Sequence, residues 1–128
     1  MKKTLMAIGL LATLSVALLA YAGGRVDDPL GIAVSPQMLL LGAEQNNVKV
    51  HTSIPLSLVN RATLELNGIA SISSYADALG QLVAVFSEDE VKDSVSPPSE
   101  TMTLTGLYVS GAPFEGSDTV TVTVYRGR

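Results

Sequence analysis

The chain has no cysteine, no tryptophan and one histidine, and aromatic residues fill only 5% of its 128 positions. Each absence removes a class of chemistry. Without thiols there is no disulfide framework, no thiolate nucleophile, no sulfur-ligated metal and no lipid-modified cysteine. His51 is the one imidazole, whereas zinc sites favour several His or Cys ligands. Stacking of a sugar ring calls for an exposed aromatic platform. Beyond the first 22 residues the only candidates are Tyr75, Phe86, Tyr108, Phe114 and Tyr125. Basic residues are also few, eight against twelve acidic ones, for a formal charge of −4. An acidic surface repels phosphate backbones and anionic lipid, which argues against nucleic acid as a partner.

What is present begins with a leader. Met1-Lys2-Lys3 precedes an apolar run from Leu5 to Leu19, and Ala20-Tyr21-Ala22 precedes Gly23-Gly24. A basic start, an apolar middle and small residues at alternate positions predict a secretory signal peptide over 1–22, cut between Ala22 and Gly23. The competing assignment is a retained anchor, since the run approaches the length that crosses a bilayer. Gly9, Thr13 and Ser15 dilute it, and no basic stop-transfer cluster follows. Loss of Lys2 and Lys3 with the leader takes the charge to −6. The remaining chain, 23–128, is of ordinary single-domain size and can bury a core without covalent staples.

Residues 23–31 predict a flexible segment, with glycines, charges, Pro29 and no periodicity. Strand signals start at Ile32 and define one domain over 32–128. Pro36 interrupts the first extended piece and assigns it to an edge or a bend. Val48 to Ile54 alternates, with Val48, Val50, Thr52 and Ile54 on one face and Lys49, His51 and Ser53 on the other. Residues 57–61 predict a helical turn or irregular corner. Leu64 and Leu66 point inward on the next strand, 62–66, and Asn67-Gly68 turns the chain tightly so that 69–73 pairs back. Residues 75–80 predict a loop or brief helical turn. Gln81 to Phe86 is nearly all apolar and predicts a central buried strand. Ser87 and Glu90 form a capping-box pattern for a short helix, which Pro97-Pro98 then excludes from continuing. Residues 101–109 and 119–125 predict the last two strands, joined by a long hairpin loop over 110–118. About seven short strands with regular turn signals predict an all-β, immunoglobulin-like β-sandwich.

The C-terminal half resembles small immunoglobulin-like modules of exported bacterial and archaeal proteins, a resemblance that covers two thirds of the chain beyond residue 22. The resemblance is carried by Ala62 to Gly68 (ATLELNG), Asp77 to Phe86 (DALGQLVAVF), Glu90-Val91-Lys92 and Thr103 to Val122 (TLTGLYVSGAPFEGSDTVTV). It implies a β-sandwich with a short helical turn after the Phe-ended strand and a Gly-rich closing hairpin. Such modules are usually accessory parts of larger surface proteins.

Catalytic groups do not assemble in the sequence. No nucleophile elbow, phosphate-binding glycine loop or calcium-loop spacing occurs, so no catalytic, cofactor or metal residue is assigned. His51 reads as an exposed strand residue. Glu88, Asp89, Glu90 and Asp93 read as acids at the positive end of a short helix. Asp77 and Asp118 read as loop residues, with Asp118 closing the hairpin. Phe114 reads as tucked beneath the hairpin. The expectation is an exported, non-catalytic module of the envelope or the exterior, structural or protein-binding through a sheet edge. Two alternatives stand beside it: a surface-fibre subunit that exchanges the segment Gly23 to Ser35, and a sugar- or calcium-binding accessory domain.

Overall fold

The computed structural model describes residues 30–126. The signal peptide expected over 1–22 and residues 23–29 lie outside them. The described residues are almost entirely β, in the order β1 (Ile32–Ser35), β2 (Met38–Leu41), β3 (Val48–Pro55), β4 (Val59–Leu66), β5 (Ile69–Ala70), β6 (Ser73–Ala76), β7 (Gln81–Phe86), α1 (Glu88–Asp93), β8 (Ser99–Tyr108) and β9 (Pro113–Val124). Two sheets form, β1-β3-β7-β6 and β2-β9-β8-β4-β5. All pairings are antiparallel except β2 with β9. The expected all-β, two-sheet class is therefore what the chain adopts.

The first extended piece serves both sheets. Ile32 to Ser35 pairs with β3, Pro36 turns the chain, and Met38 to Leu41 pairs with β9. A residue without an N–H suits this bend, because no ladder bond is lost there. Leu30 sits beside Gly116 in a parallel bridge. A Cβ on Gly116 would meet the Leu30 carbonyl oxygen at 2.6 Å, so this glycine lets two backbones approach.

Alternation builds the core. β3 reads buried and exposed in strict turn, with Val48, Val50, Thr52 and Ile54 inward as expected. Val48, Val50 and Ile54 meet Leu64, Leu66, Leu82, Phe86, Met102, Leu104, Val120 and Val122 in one apolar cluster. Full burial of each such side chain contributes about 1.5–3 kcal/mol. Among the described residues Thr52 is the one buried polar side chain, and both its capacities are used. Its Oγ1 donates to the Leu82 carbonyl (3.0 Å) and accepts from the Ile54 N–H (3.1 Å). β7 is central in its sheet. Val83 and Val85 lie on its outer face, opposite the core, yet they too are buried, flanked in register by Lys49, His51 and Tyr75. Cover on both faces explains the unbroken apolar run.

Several expected boundaries differ. The predicted corner at 57–61 is a single 3-10 turn over Leu56–Leu58, and β4 already starts at Val59. Only Ile69 and Ala70 pair back after the Asn67-Gly68 turn; the chain then crosses to the other sheet as β6, so Tyr75 and Ala76 are strand, not loop. The long loop over 110–118 is a four-residue turn, 109–112, because β9 begins at Pro113. Gly116 and Pro113 read as loop residues, but one permits a close approach and the other occupies a strand start, where proline is tolerated.

Candidate interaction surface

The predicted chemical residues do not converge. Among the described residues no group of three or more His, Asp or Glu side chains gathers in a metal-holding arrangement. His51 is exposed on the outer face of β3, across from Ala33 and Val83. Asp77 is spent on its own turn, accepting the Leu79 N–H (2.8 Å) and Gln81 N–H (3.0 Å). Glu88 accepts from Lys92 Nζ (2.8 Å) and from the Gln45 N–H. The Lys92 hydrogen bond, with help from that N–H, holds its carboxyl below the usual carboxylate range. Ser87 Oγ accepts the Glu90 N–H as the expected helix cap.

Asp118 is the largest departure from expectation. It sits within β9, not in a loop, and does not close the hairpin. Its Oδ2 accepts the Val34 N–H (2.9 Å) and Gln37 Nε2 (2.8 Å), across from one sheet to the other. The Val34 N–H first, and Gln37 second, lower its pKa. The same Gln37 amide donates to the Val34 carbonyl. Both polar groups of Val34 on the side away from β3 are thereby occupied.

That arrangement repeats at a second edge. On β2, Gln45 Oε1 accepts the Leu40 N–H (2.9 Å) and Gln45 Nε2 donates to the Met38 carbonyl (3.0 Å). One side-chain amide stands where a neighbouring strand's peptide would stand. Unpaired edges invite foreign strands, and side chains that satisfy them remove the template. The two edges formed by the first extended piece are closed in this way.

The other side of the molecule is more open. β5 pairs only two residues of β4, after which the chain leaves for the other sheet. Ala62, further up β4, directs its N–H to the neighbouring Asn60 side chain, at 3.3 Å, and not to β5. A trough of about 360 Å³ opens here between Arg61, Ala62 and Leu64 on one wall and residues 70–74 on the other. Arg61 spans it, donating from Nε to Ser74 Oγ (2.7 Å) and from Nη2 to the Ser74 carbonyl (2.6 Å). Neither of these partners is a carboxylate, and the guanidinium has N–H groups beyond the two in use for an incoming acceptor. This edge was not expected, since residues 69–73 read as pairing back along β4 in full. No residue pattern marked Arg61.

Phe114 is tucked in, as expected. Its ring lies 5.0 Å from that of Tyr108 and over Gly106, where a Cβ would come within 2.6 Å of Phe114 Cζ. Tyr75 stands on the outer sheet face with Lys49 Nζ 5.8 Å from its ring centre. The aromatics are thus dispersed between core and surface and form no platform. No family model matches the chain, and no curated protein or solved structure matches it significantly.

Proposed function

We propose that this chain is an exported, non-catalytic immunoglobulin-like module, structural or protein-binding, that works in the cell envelope or outside the cell. The leader pattern supports export. Strand order supports the immunoglobulin-like reading. β1-β3-β7-β6 and β9-β8-β4 reproduce the two strand orders of that sandwich, with the first strand shared between its sheets. The observation that carries the binding role is the unequal treatment of the edges. Gln37, Asp118 and Gln45 close one side, while the opposite side presents a trough that only the Arg61 side chain bridges, its guanidinium held on Ser74. A partner adds an extended segment there, its main chain on β4 beyond the end of β5 and an acidic side chain on Arg61.

Photo-crosslinking in the exporting host tests this. A crosslinking residue at Ala62 is expected to give a discrete adduct that Arg61→Glu removes. The same probe at Ser35, on the closed edge, is expected to give none. An abundant, exported chain that forms no adduct at position 62 would refute the binding role.

A further inference from the structure

Three turns share one end of the molecule and are stitched side by side. The Leu56 N–H donates to the Gly80 carbonyl (2.9 Å), and the Val109 N–H donates to the Leu58 carbonyl (2.8 Å). Each turn leaves an aliphatic side chain in solvent: Leu58 is 47% exposed, Leu79 80% and Val109 66%. Single exposed leucines are ordinary, but a joined set on turn tips calls for an account. The turns 55–58, 77–80 and 109–112 contain no cation, and their one acid, Asp77, is folded back onto backbone N–H groups. The opposite end is acidic. There α1 and the turn before β3 bring together Glu44, Glu88, Asp89, Glu90 and Asp93 with Lys92, and β9 ends beside them in Val124, Tyr125 and Arg126.

The path of the chain says what faces the apolar end. The described chain starts at Leu30, which runs parallel to β9 beside Gly116, three residues from the β9 start at Pro113 and so toward the end that holds the 109–112 turn. Residues 20–29 separate Leu30 from the apolar run Leu5 to Leu19. Ten residues span at most about 35 Å.

We propose that the three-turn end is a lipid contact, with Leu58, Leu79 and Val109 seated in the interface of the bilayer that holds the Leu5 to Leu19 run. This takes the retained form of the leader. The short connection keeps the domain at the membrane, and seating the apolar end leaves the acidic end pointing away from anionic headgroups. None of the three residues lines the β4–β6 trough.

Because the chain lacks cysteine, one introduced thiol gives one label. Full-length chains carrying Leu79→Cys, Val109→Cys or Asn46→Cys, the last at the acidic end, are labelled with an environment-sensitive fluorophore. They are then reconstituted into vesicles of phosphatidylcholine and phosphatidylglycerol. Expected are blue-shifted emission and several-fold weaker iodide quenching at positions 79 and 109 than at 46. Equal quenching at all three positions overturns the proposal. So does protection that appears only when envelope proteins are added, which would assign this end to a protein. Mass spectrometry of the native protein is expected to find the leader intact in the membrane fraction. A native N-terminus at Gly23 overturns the proposal while leaving the crosslinking test of the trough unaffected.

Discussion

Gly106 and Phe114 make one packing unit from a residue that lacks a side chain and a residue with a large one. Phe114 is buried because Gly106 leaves room for its ring between Leu64 and Tyr108. Gly106 does not have a positive φ, so its role is space and not backbone freedom. Gly106→Ala should therefore cost about 1–3 kcal/mol through overpacking. The urea midpoint measures it. Shrinking the ring with Phe114→Leu should recover part of the loss, a non-additivity expected of residues in contact. Asp118 acts by charge and by hydrogen bonds. Its folded pKa is lowered, so its contribution is present above the ordinary carboxylate pKa and is lost as pH falls through the lower, folded value. Asp118→Asn should lower Tm at neutral pH. The gap between variant and wild type should close as a series of melts descends from about pH 7 to about pH 2. A gap of constant width would mean that the charge of Asp118 does not hold Val34.

At the scale of elements, β2 depends on a side chain that lies outside any strand. Gln45 satisfies Met38 and Leu40 and so makes a four-residue edge strand unattractive to other chains. Gln45→Ala should leave the fold intact, lowering stability by about 1 kcal/mol. It should also introduce concentration-dependent association, read by sedimentation velocity. A strictly monomeric variant at high concentration would show that the amide is not what keeps this edge closed. The same element marks the limit of what the sequence discloses. β3 was legible because alternation is local, the β4–β5 turn because Asn67 and Gly68 both adopt positive φ, and α1 because Ser87 caps it with its own side chain. β6 was not legible, since Ser73 to Ala76 carries no apolar alternation. It is strand only because β7 offers it an edge. The roles of Gln45, Asp118 and Arg61 were not legible for a related reason. Each acts across a gap in sequence or between sheets, and the sequence shows only a polar residue among others. The early part of β9 was masked by Pro113 and Gly116, whose loop signal yields to a ladder with β8 that runs from Pro113 to Thr121.

For the whole molecule, residues 30–41 are the seam. They supply an edge to each sheet, place Val34 and Leu39 in the shared core, and anchor across the sheets through Asp118. No disulfide reinforces that seam. Its removal would therefore take away two ladders and two core side chains at once and expose Val50 and Val122 to water. Loss of a buried aliphatic side chain alone costs about 2–5 kcal/mol, against a total stability of about 5–15 kcal/mol for a domain. A chain beginning at residue 42 should thus lose its cooperative thermal transition. A synthetic peptide of residues 30–41, added in trans, should restore it with a Tm that rises with peptide concentration. The result also bears on fibre assembly. The segment proposed for exchange ends in Ile32 to Ser35, which pairs with β3 of its own chain. Exchange between copies therefore requires the same seam to open in one molecule and refill from another. Restoration by the peptide would demonstrate that the groove can accept a strand supplied from outside. A truncated chain that still melts cooperatively, with or without the peptide, would show that the other seven strands fold without this seam. The core would then have to be closed by contacts other than those of Val34 and Leu39.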